Sequence, residues 1–181
     1  MLDPERPLFT SRLLIEPLLP EHARALFHAL QDERLYRYYA GSPPASIAEL
    51  EQRYRIWAKR ASPDGSQVWL NYALRRPADD VFVGWVQATI AGTVATIGYS
   101  VFPEFWRQGY GSEACAELVG TLCASGDIHR VAAVVDAENV ASIRLLEQLG
   151  FTLVWTGASE DMPGRRDRRY ERTCEGSRHS S

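Results

Sequence analysis

Several features that mark particular classes of protein are scarce or absent in this sequence of 181 residues. No apolar run approaches the length of a membrane-spanning helix, and Met1–Thr10 carries charges and prolines instead of a secretory apolar segment. The 20 basic and 23 acidic residues give a net charge of −3, without the basic excess typical of nucleic-acid-binding proteins. We therefore expect neither a membrane nor a nucleic acid as a partner.

Cysteine is also rare, and its placement predicts neither disulfides nor metal. The three cysteines show no paired framework and no metal-ligand spacing, so no metal site is expected. Cys115 and Cys123 fall on the apolar face of one predicted helix and are expected to be core thiols, while Cys174 lies near the C-terminus. This cysteine usage is typical of a reducing compartment and favours a cytoplasmic location.

A short loop with two glycines is the most informative feature that is present. Gly109 and Gly111 follow the apolar strand that ends at Val101, and a helix begins at once. Glycines let a backbone approach phosphate groups, and free N–H groups at a helix start point at an anion. The pattern predicts a pyrophosphate site and hence a nucleotide-like cofactor. No Gly-Lys-Ser/Thr occurs, which excludes the phosphate-binding loop of nucleotide hydrolases.

A dinucleotide-binding fold is an alternative explanation of the same loop. Ala114 stands where that fingerprint accepts a third small residue, and Asp136 ends the next predicted strand, where an acid would contact the ribose. That fold normally begins with this unit in an alternating series of strands and helices. Here the unit follows an antiparallel meander, so we expect the alternative to fail.

Hydrophobic periodicity and turn residues predict the elements and the fold class. The predicted strands are Arg12–Glu16, Val68–Leu74, Val81–Thr89, Thr93–Val101, Val131–Val135, Phe151–Trp155 and Arg169–Thr173. The predicted helices are Glu21–Leu30, one capped by Ser46 and running to about Lys59, Gly111–Ala124 and Val140–Leu149. They suggest a single α+β domain (α/β/α-like) over residues 10–173, with a mixed, largely antiparallel sheet flanked by helices and a parallel pair beside the loop. The Val131–Val135 strand should be buried on both faces, and residues 1–9 and 175–181 should be flexible.

Two motifs connect the chain with a known family. The first is Pro103–Ala114 and the second is Asn139–Phe151. With this order of elements they resemble the GNAT acyltransferases, which use acetyl-CoA. Together with Ser11–Leu18, they are similar to the branch that includes the ribosomal-protein N-terminal acetyltransferases, and the resemblance covers roughly Thr10–Thr173. Trp106 stands where the general pattern has Gln or Arg, and an aromatic residue is frequent there in this branch.

The resemblance implies where acetyl-CoA binds. Backbone donors of Arg107–Ser112 would hold the pyrophosphate, and the strand backbone near Val101–Pro103 would pair with the pantetheine amides. A splay would separate Tyr99–Val101 from Val131–Val135. Asn139 is expected to cap the next helix and to contact the pantetheine arm. The implied cofactor-binding residues are Val101, Phe102, Pro103, Arg107, Gln108, Gly109, Tyr110, Gly111, Ser112, Asn139 and Ser142.

The resemblance also implies an N-acetyltransferase in which a primary amine attacks the thioester directly within a ternary complex. Ser142 matches a position near the sulfur, as proton donor or sulfur-positioning group; a small residue that allows close helix packing is the alternative. Many members carry a glutamate on the strand before the loop, but Thr93–Ile97 has no carboxylate. Glu104 and Tyr99 are the remaining catalytic candidates, beside a water chain and backbone carbonyls. The alternatives are a solvated loop acid for Glu104 and packing at the strand end for Tyr99.

The expected acceptor is a peptide or protein N-terminus or a small amine. Tyr36, Tyr38, Tyr39 and Trp85 are candidate wall residues, with ordinary packing as the alternative, and Ala40–Ser46 is a candidate lip. A catalytically silent acyl-CoA sensor or scaffold stays open because the strand carboxylate is missing, and a homodimer stays open as well. The arginine-rich run 165–169 is expected to be a solvated loop rather than a binding patch.

Overall fold

The computed structural model describes residues 2–174. Its strands are β1 (Leu8–Phe9), β2 (Leu14–Pro17), β3 (Val68–Arg76), β4 (Val81–Ala91), β5 (Val94–Val101), β6 (Arg130–Asp136), β7 (Thr152–Ala158) and β8 (Arg166–Thr173). Its α-helices are α1 (His22–Leu26), α2 (Ile47–Trp57), α3 (Tyr110–Ala124) and α4 (Val140–Gln148), and 3-10 turns span Ala29–Gln31, Glu33–Arg37 and Pro103–Phe105. The predicted flexible C-terminus, 175–181, lies outside the described residues.

All eight strands belong to one sheet, in the order β1-β2-β3-β4-β5-β6-β8-β7. Strands β5 and β6 run parallel, and the other neighbouring pairs are antiparallel. The predicted fold class, a mixed and largely antiparallel sheet flanked by helices, is therefore confirmed.

The parallel pair separates part of the way along its length. Pairing begins at Val94 opposite Arg130 and ends at Ile97 opposite Ala133. Beyond that point β5 and β6 diverge and leave an opening between them. The predicted splay is present, but it is shorter than predicted on β6, because that strand is still paired with β5 through Ala133.

Local capping defines the start of α2 as the sequence predicts. The Ser46 hydroxyl accepts a hydrogen bond from the Glu49 N–H at 3.1 Å, and the Glu49 carboxylate accepts one from the Ala45 N–H at 2.8 Å. This reciprocal arrangement satisfies two amide donors at the helix start. Helix α1 is shorter than predicted and ends at Leu26, because the chain continues as a 3-10 turn from Ala29.

Two predictions about burial and order are wrong. Leu8–Phe9 was expected within a flexible terminus, but it pairs with β2, and Leu8 is buried in the core. Strand β6 was expected to be buried on both faces, whereas Val134 is 47% exposed. Val134 is the first β6 residue beyond the paired segment, so the opening exposes it.

The cysteine prediction is also partly wrong. Cys123, at the end of α3, forms a disulfide with Cys174, which follows β8. Both residues adjoin β6, and the bridge joins positions that are 51 residues apart in sequence, so local spacing gives no sign of it. Cys115 is a free, buried thiol as predicted, and burial raises its pKa. The reducing, cytoplasmic compartment was inferred from the absence of paired cysteines, and the disulfide removes that argument.

Among residues 2–174, no helix combines the length and apolar character needed to cross a membrane.

Strands β4 and β5 come together closely at Gly84. A Cβ atom at this position would lie 2.2 Å from the Ser100 carbonyl oxygen and 2.9 Å from the Val101 Cα. Both neighbours are backbone atoms, which cannot move aside as the end of a side chain can. The end of β5 that borders the opening therefore depends on the absence of a side chain at residue 84.

We predict that Gly84→Ala lowers the free energy of unfolding by about 1–3 kcal/mol, the usual range for overpacking. Urea denaturation measures the change. The matched control is Gly120→Ala within α3, where a Cβ would meet nothing within 4 Å. That control should be neutral or stabilising by about 0.5–1 kcal/mol, because alanine favours the helix. Equal stabilities for the two variants would contradict the role given to Gly84.

Candidate functional site

The loop before α3 adopts a backbone conformation that favours glycine. Arg107 has φ 59° and Gly109 has φ 84°, both in the left-handed region. The Glu113 N–H donates to the Gly109 carbonyl at 3.0 Å, and this is the first hydrogen bond of α3. The N–H groups of Tyr110 and the next two residues therefore have no acceptor within the helix and point out of its N-terminus. An anion at this end would also be favoured by the helix dipole.

Arg12 braces this loop from the N-terminal part of the chain. Its Nη1 donates to the Gln108 carbonyl at 3.0 Å, and its Nε donates to the Glu113 carboxylate at 2.7 Å. The guanidinium carbon also lies 4.5 Å from the centre of the Tyr110 ring. Although burial alone would raise it, hydrogen bonds from Thr10 and Arg12 hold the pKa of Glu113 below its usual value. The carboxylate therefore stays charged at neutral pH and keeps its partners.

The two sequence motifs meet at Gly111. A Cβ atom there would lie 3.3 Å from Leu145 Cδ1 and 3.4 Å from Val101 Cγ2. Leu145 belongs to α4 and Val101 ends β5, so the start of α3 lies against both. The fold thus brings the glycine loop, the opening and the second-motif helix together in one place.

Several backbone groups predicted to face the cofactor arm are already used. The Phe102 N–H donates to the Val83 carbonyl at 2.8 Å. The Val101 carbonyl accepts a hydrogen bond of 2.6 Å from Trp106 Nε1. Pro103 has no N–H to offer. Trp106 therefore has a definite role, which is to fix the end of β5 beside the loop.

The free backbone groups lie slightly earlier on β5. Successive residues of a strand direct their backbone groups to alternate sides. Because Phe102 directs its N–H to β4, Val101 and Tyr99 direct theirs away from β4, toward the opening. Pairing with β6 has ended at Ile97. The Tyr99 N–H and carbonyl and the Val101 N–H are therefore the groups at the opening that a ligand could pair with.

Helix α4 presents Ser142 beside this opening. The Asn139 side chain accepts a hydrogen bond from the Ser142 N–H at 3.2 Å, which confirms the predicted helix cap. The Tyr99 hydroxyl donates to the Ser142 carbonyl at 3.4 Å. Burial raises the pKa of Tyr99, so this hydroxyl is a neutral donor and not a base. The Ser142 hydroxyl itself is half-buried and has no hydrogen-bond partner among residues 2–174.

Glu104 is exposed on the 3-10 turn. Within residues 2–174 its carboxylate has neither an ion pair nor a hydrogen bond, while its backbone carbonyl accepts one from Gln108 Nε2 at 3.1 Å. Arg107 is likewise exposed. The side chain of Gln108 is thus directed back along the turn, and the geometry gives Glu104 the character of a solvated loop acid.

Asp136, which would contact the ribose in a dinucleotide-binding fold, is instead bound to Arg165. Arg165 Nε hydrogen-bonds to its buried carboxylate, and Arg165 Nη2 lies 3.1 Å from the Glu138 carboxylate. The hydrogen bond from Arg165 lowers the pKa of Asp136. The dinucleotide alternative therefore fails, because its acidic residue is already bound. The expectation of a solvated arginine-rich loop is wrong, because residues 166–169 belong to β8 and Arg165 binds Asp136. The Arg165 guanidinium also lies 5.6 Å from the Tyr38 ring centre.

A cavity of about 430 Å³ lies between α2, the segment after α1, and strands β3 and β4. Three predicted wall residues line it: Tyr36 and Tyr39 have ring centres 5.4 Å apart, and Tyr39 meets Trp85 edge-on at 6.4 Å. Tyr38 does not line it and contacts Arg165 instead. The predicted lip contributes Ala40, Gly41, Ser42 and Pro44.

Sequence reasoning missed Arg12 and Arg165 as contacts of the site. Both act through partners far along the chain, 101 residues away for Glu113 and 29 for Asp136. Arg12 was predicted only as the start of a strand and as part of the Ser11–Leu18 stretch, but the strand begins at Leu14 and Arg12 precedes it. The residues that flank each arginine in the sequence give no sign that Arg12 pairs with Glu113 or Arg165 with Asp136.

Comparison with known proteins agrees with this geometry. The sequence profile of the acetyltransferase (GNAT) domain matches residues 12–152. The chain is also similar to the uncharacterized N-acetyltransferase YoaA of Bacillus subtilis (strain 168), with 28% identity over 146 residues. That alignment covers 80% of this chain and 81% of YoaA.

Solved structures with the same architecture include two acetyltransferases bound to ligands. The RimL ribosomal alpha-N-protein acetyltransferase in complex with coenzyme A superposes with a TM-score of 0.80 at 18% identity, covering 93% of this chain and 98% of RimL. The microcin self-immunity acetyltransferase MccE, in complex with acetyl-CoA and AMP, gives 0.79 at 17% identity, covering 91% and 93%. At these identities the likeness concerns the fold alone.

Proposed function

This chain belongs to the GNAT acetyltransferase family, and from that membership we propose that it acetylates the α-amine of a peptide or protein N-terminus. Members of the family take the acetyl group from acetyl-CoA. One observation carries the proposal: the glycine loop at the start of α3 lies next to the opening between the parallel strands β5 and β6. The acceptor class is suggested by the name of the similar RimL protein, an alpha-N-protein acetyltransferase.

The residues present fit coenzyme A. Bound acetyl-CoA supplies the activated thioester. The N–H groups of Tyr110, Gly111 and Ser112 would hold the pyrophosphate, because they lack helical acceptors and lie at the positive end of α3. The backbone of Tyr99 and the N–H of Val101 would pair with the pantetheine amides. This assignment moves the pairing slightly earlier on β5 than the sequence predicted.

Proton removal from the acceptor fits an α-amine better than a lysine. An α-amine has a pKa near ~8, whereas a lysine amine has one near ~10.4, so only the former is partly neutral at physiological pH. No aspartate or glutamate lines the cavity, and the Glu104 carboxylate is exposed. A water molecule is then a sufficient base. Direct attack also agrees with Cys115, whose buried thiol has a raised pKa and is a poor nucleophile.

A catalytically silent acyl-CoA sensor is the second candidate, favoured by the absence of a carboxylate from Thr93–Ile97. Incubation with acetyl-CoA and a panel of amines, with thiol release as the readout, separates the two. Turnover on any amine supports the enzyme, and binding without turnover supports the sensor. A cytoplasmic location and a homodimer stay predictions from the sequence.

We predict that Gly109→Val weakens coenzyme A binding by about a hundredfold, as measured by titration calorimetry. Valine does not tolerate φ 84°, and its Cβ would also lie 3.3 Å from Arg12 Nη2. The loop would rearrange and lose charge-assisted hydrogen bonds, which are worth about 1.5–3 kcal/mol each.

The matched control is Gly65→Val. Gly65 also has a left-handed φ, 72°, but a Cβ there meets nothing within 4 Å. It lies in a turn before β3, so the control carries the same backbone strain away from the loop. Unchanged affinity in Gly109→Val, or an equal loss in Gly65→Val, would contradict the assigned pyrophosphate site.

We further predict that Ser142→Ala lowers kcat by about a hundredfold, the lower range for loss of a positioned acid, with unchanged coenzyme A affinity. Tyr99→Phe should have a smaller effect, because it removes only the hydrogen bond to the Ser142 carbonyl. Steady-state rates and calorimetry on both variants provide the comparison. A full-rate Ser142→Ala enzyme would leave this serine only a packing role.

A further inference from the structure

Two amide side chains lie side by side in the cavity without partners. Asn71 on β3 is directly opposite Gln87 on β4, so both occupy one face of the sheet. Asn71 is only 8% exposed, yet its side-chain amide makes no hydrogen bond with any residue from 2 to 174. Gln87 also lines the cavity, and its side chain likewise has no hydrogen-bond partner among those residues. Asn71 is buried and Gln87 half-buried, and each amide can offer a donor and an acceptor to a molecule in the cavity.

The walls around these amides are aromatic. Tyr36, Tyr39 and Trp85 form one side, and Tyr54 and Trp57 stack with ring centres 5.7 Å apart on α2. Burial raises the pKa of Tyr39 and of Tyr54, so their hydroxyls stay uncharged. Such walls suit a flat ring, which can stack or meet them edge-on.

The charge of the lining disfavours a cationic guest. Of the residues that line the cavity, Arg53 alone carries a full charge at neutral pH, and no aspartate or glutamate accompanies it. The Arg53 ion pair with Glu49, at 2.7 Å, is directed along α2. A polyamine or a lysine-like chain would find no anionic partner here. A guest that is neutral and carries a hydrogen-bonding group is favoured.

Gln87 brings one end of the cavity next to β5, the strand that borders the opening. Gln87 pairs across the sheet with Gly98, the first β5 residue beyond the paired segment. A Cβ on Gly98 would lie 3.2 Å from Gln87 Nε2 and 3.3 Å from its Cγ. The Gln87 side chain therefore lies over Gly98, so a guest that contacts this amide is beside the opening.

We propose that this cavity binds the side chain of the acceptor's first residue and selects an uncharged aromatic ring with a hydrogen-bonding group, such as a phenol. The inference rests on the proposed function, because that function puts the reacting amine at the opening. Asn71 and Gln87 pair with the polar group of the ring, and the tyrosine and tryptophan side chains enclose the ring itself. A volume of about 430 Å³ is sufficient for one such side chain.

The test compares small acceptors of defined side chain. With saturating acetyl-CoA, kcat/KM for L-tyrosinamide should exceed that for L-alaninamide by about tenfold or more. L-lysinamide and spermidine should fall below L-alaninamide. Asn71→Leu keeps the approximate volume and removes the amide. It should lower the ratio of kcat/KM for L-tyrosinamide to kcat/KM for L-alaninamide by about tenfold.

The control variant is Thr89→Val, a polar-to-apolar change on β4 two residues from Gln87 and outside the cavity. It should leave the rates with all four amines unchanged. Thermal unfolding of each variant reports whether the fold is intact. If Asn71→Leu does not fold, the preference of the unaltered enzyme for L-tyrosinamide over L-lysinamide still tests the proposal.

A binding measurement separates this inference from the proposed function. Titration of N-acetyl-L-tyrosinamide into the protein with coenzyme A present needs no turnover. Binding that Asn71→Leu abolishes, without acetylation of any amine, would support the cavity assignment and overturn the transferase. Acetylation of L-alaninamide, L-lysinamide and L-tyrosinamide at similar rates would support the transferase and overturn the cavity assignment.

Discussion

The early end of the parallel pairing between β5 and β6 is the constraint on which the site depends. The strands hold each other from Val94 to Ile97 and then part, which leaves backbone groups of Tyr99 and Val101 without a strand partner. Such groups are costly when buried and unpaired, so an opening of this kind persists where a ligand or water occupies it. The pantetheine arm of coenzyme A, with its amide groups in a row, has the chemistry to replace the missing strand.

The opening is held by contacts from three directions. Gly84 allows β4 to approach the end of β5, Trp106 binds the Val101 carbonyl, and Gly111 lets α3 pack against Leu145 of α4. Gly84 and Trp106 need not touch a ligand to do this, whereas Gly111 also has a free N–H at the start of α3. Together they fix the distance between the glycine loop and Ser142, which a cofactor with a pyrophosphate at one end and a thioester at the other requires. The cavity lined by Tyr36, Tyr39 and Trp85 comes close to β5 through the Gln87 side chain, which lies over Gly98.

Features that depend on neighbouring residues could be predicted from the sequence. The Ser46 and Asn139 caps, the glycine loop and the long strands of the meander are all local, and the structure contains them. The short β1 strand was missed because two residues give no periodicity. The Cys123–Cys174 bridge was missed because its two ends become neighbours only through pairing of β6 with β8.

Tertiary contacts decide which of the predicted site groups are free to bind a ligand. Val101–Pro103 was a reasonable pairing segment, but Trp106 and Val83 already bind two of its backbone groups. The resemblance to the GNAT family implied a cofactor-binding role for the loop before α3, but it carried no information about the two amides of the cavity. Asn71 and Gln87 lie 16 residues apart in sequence and meet only through the register of β3 with β4.

Amide hydrogen exchange with and without coenzyme A shows whether the glycine loop and the end of β5 hold the cofactor. We predict slower exchange at Tyr110, Gly111 and Ser112, which would hold the pyrophosphate, and at Tyr99 and Val101, which would pair with the pantetheine arm. Exposed amides of the turn around Gly65 serve as the internal reference and should not change. Tight binding of coenzyme A without protection of these five amides, or no binding by the folded protein, would contradict this prediction.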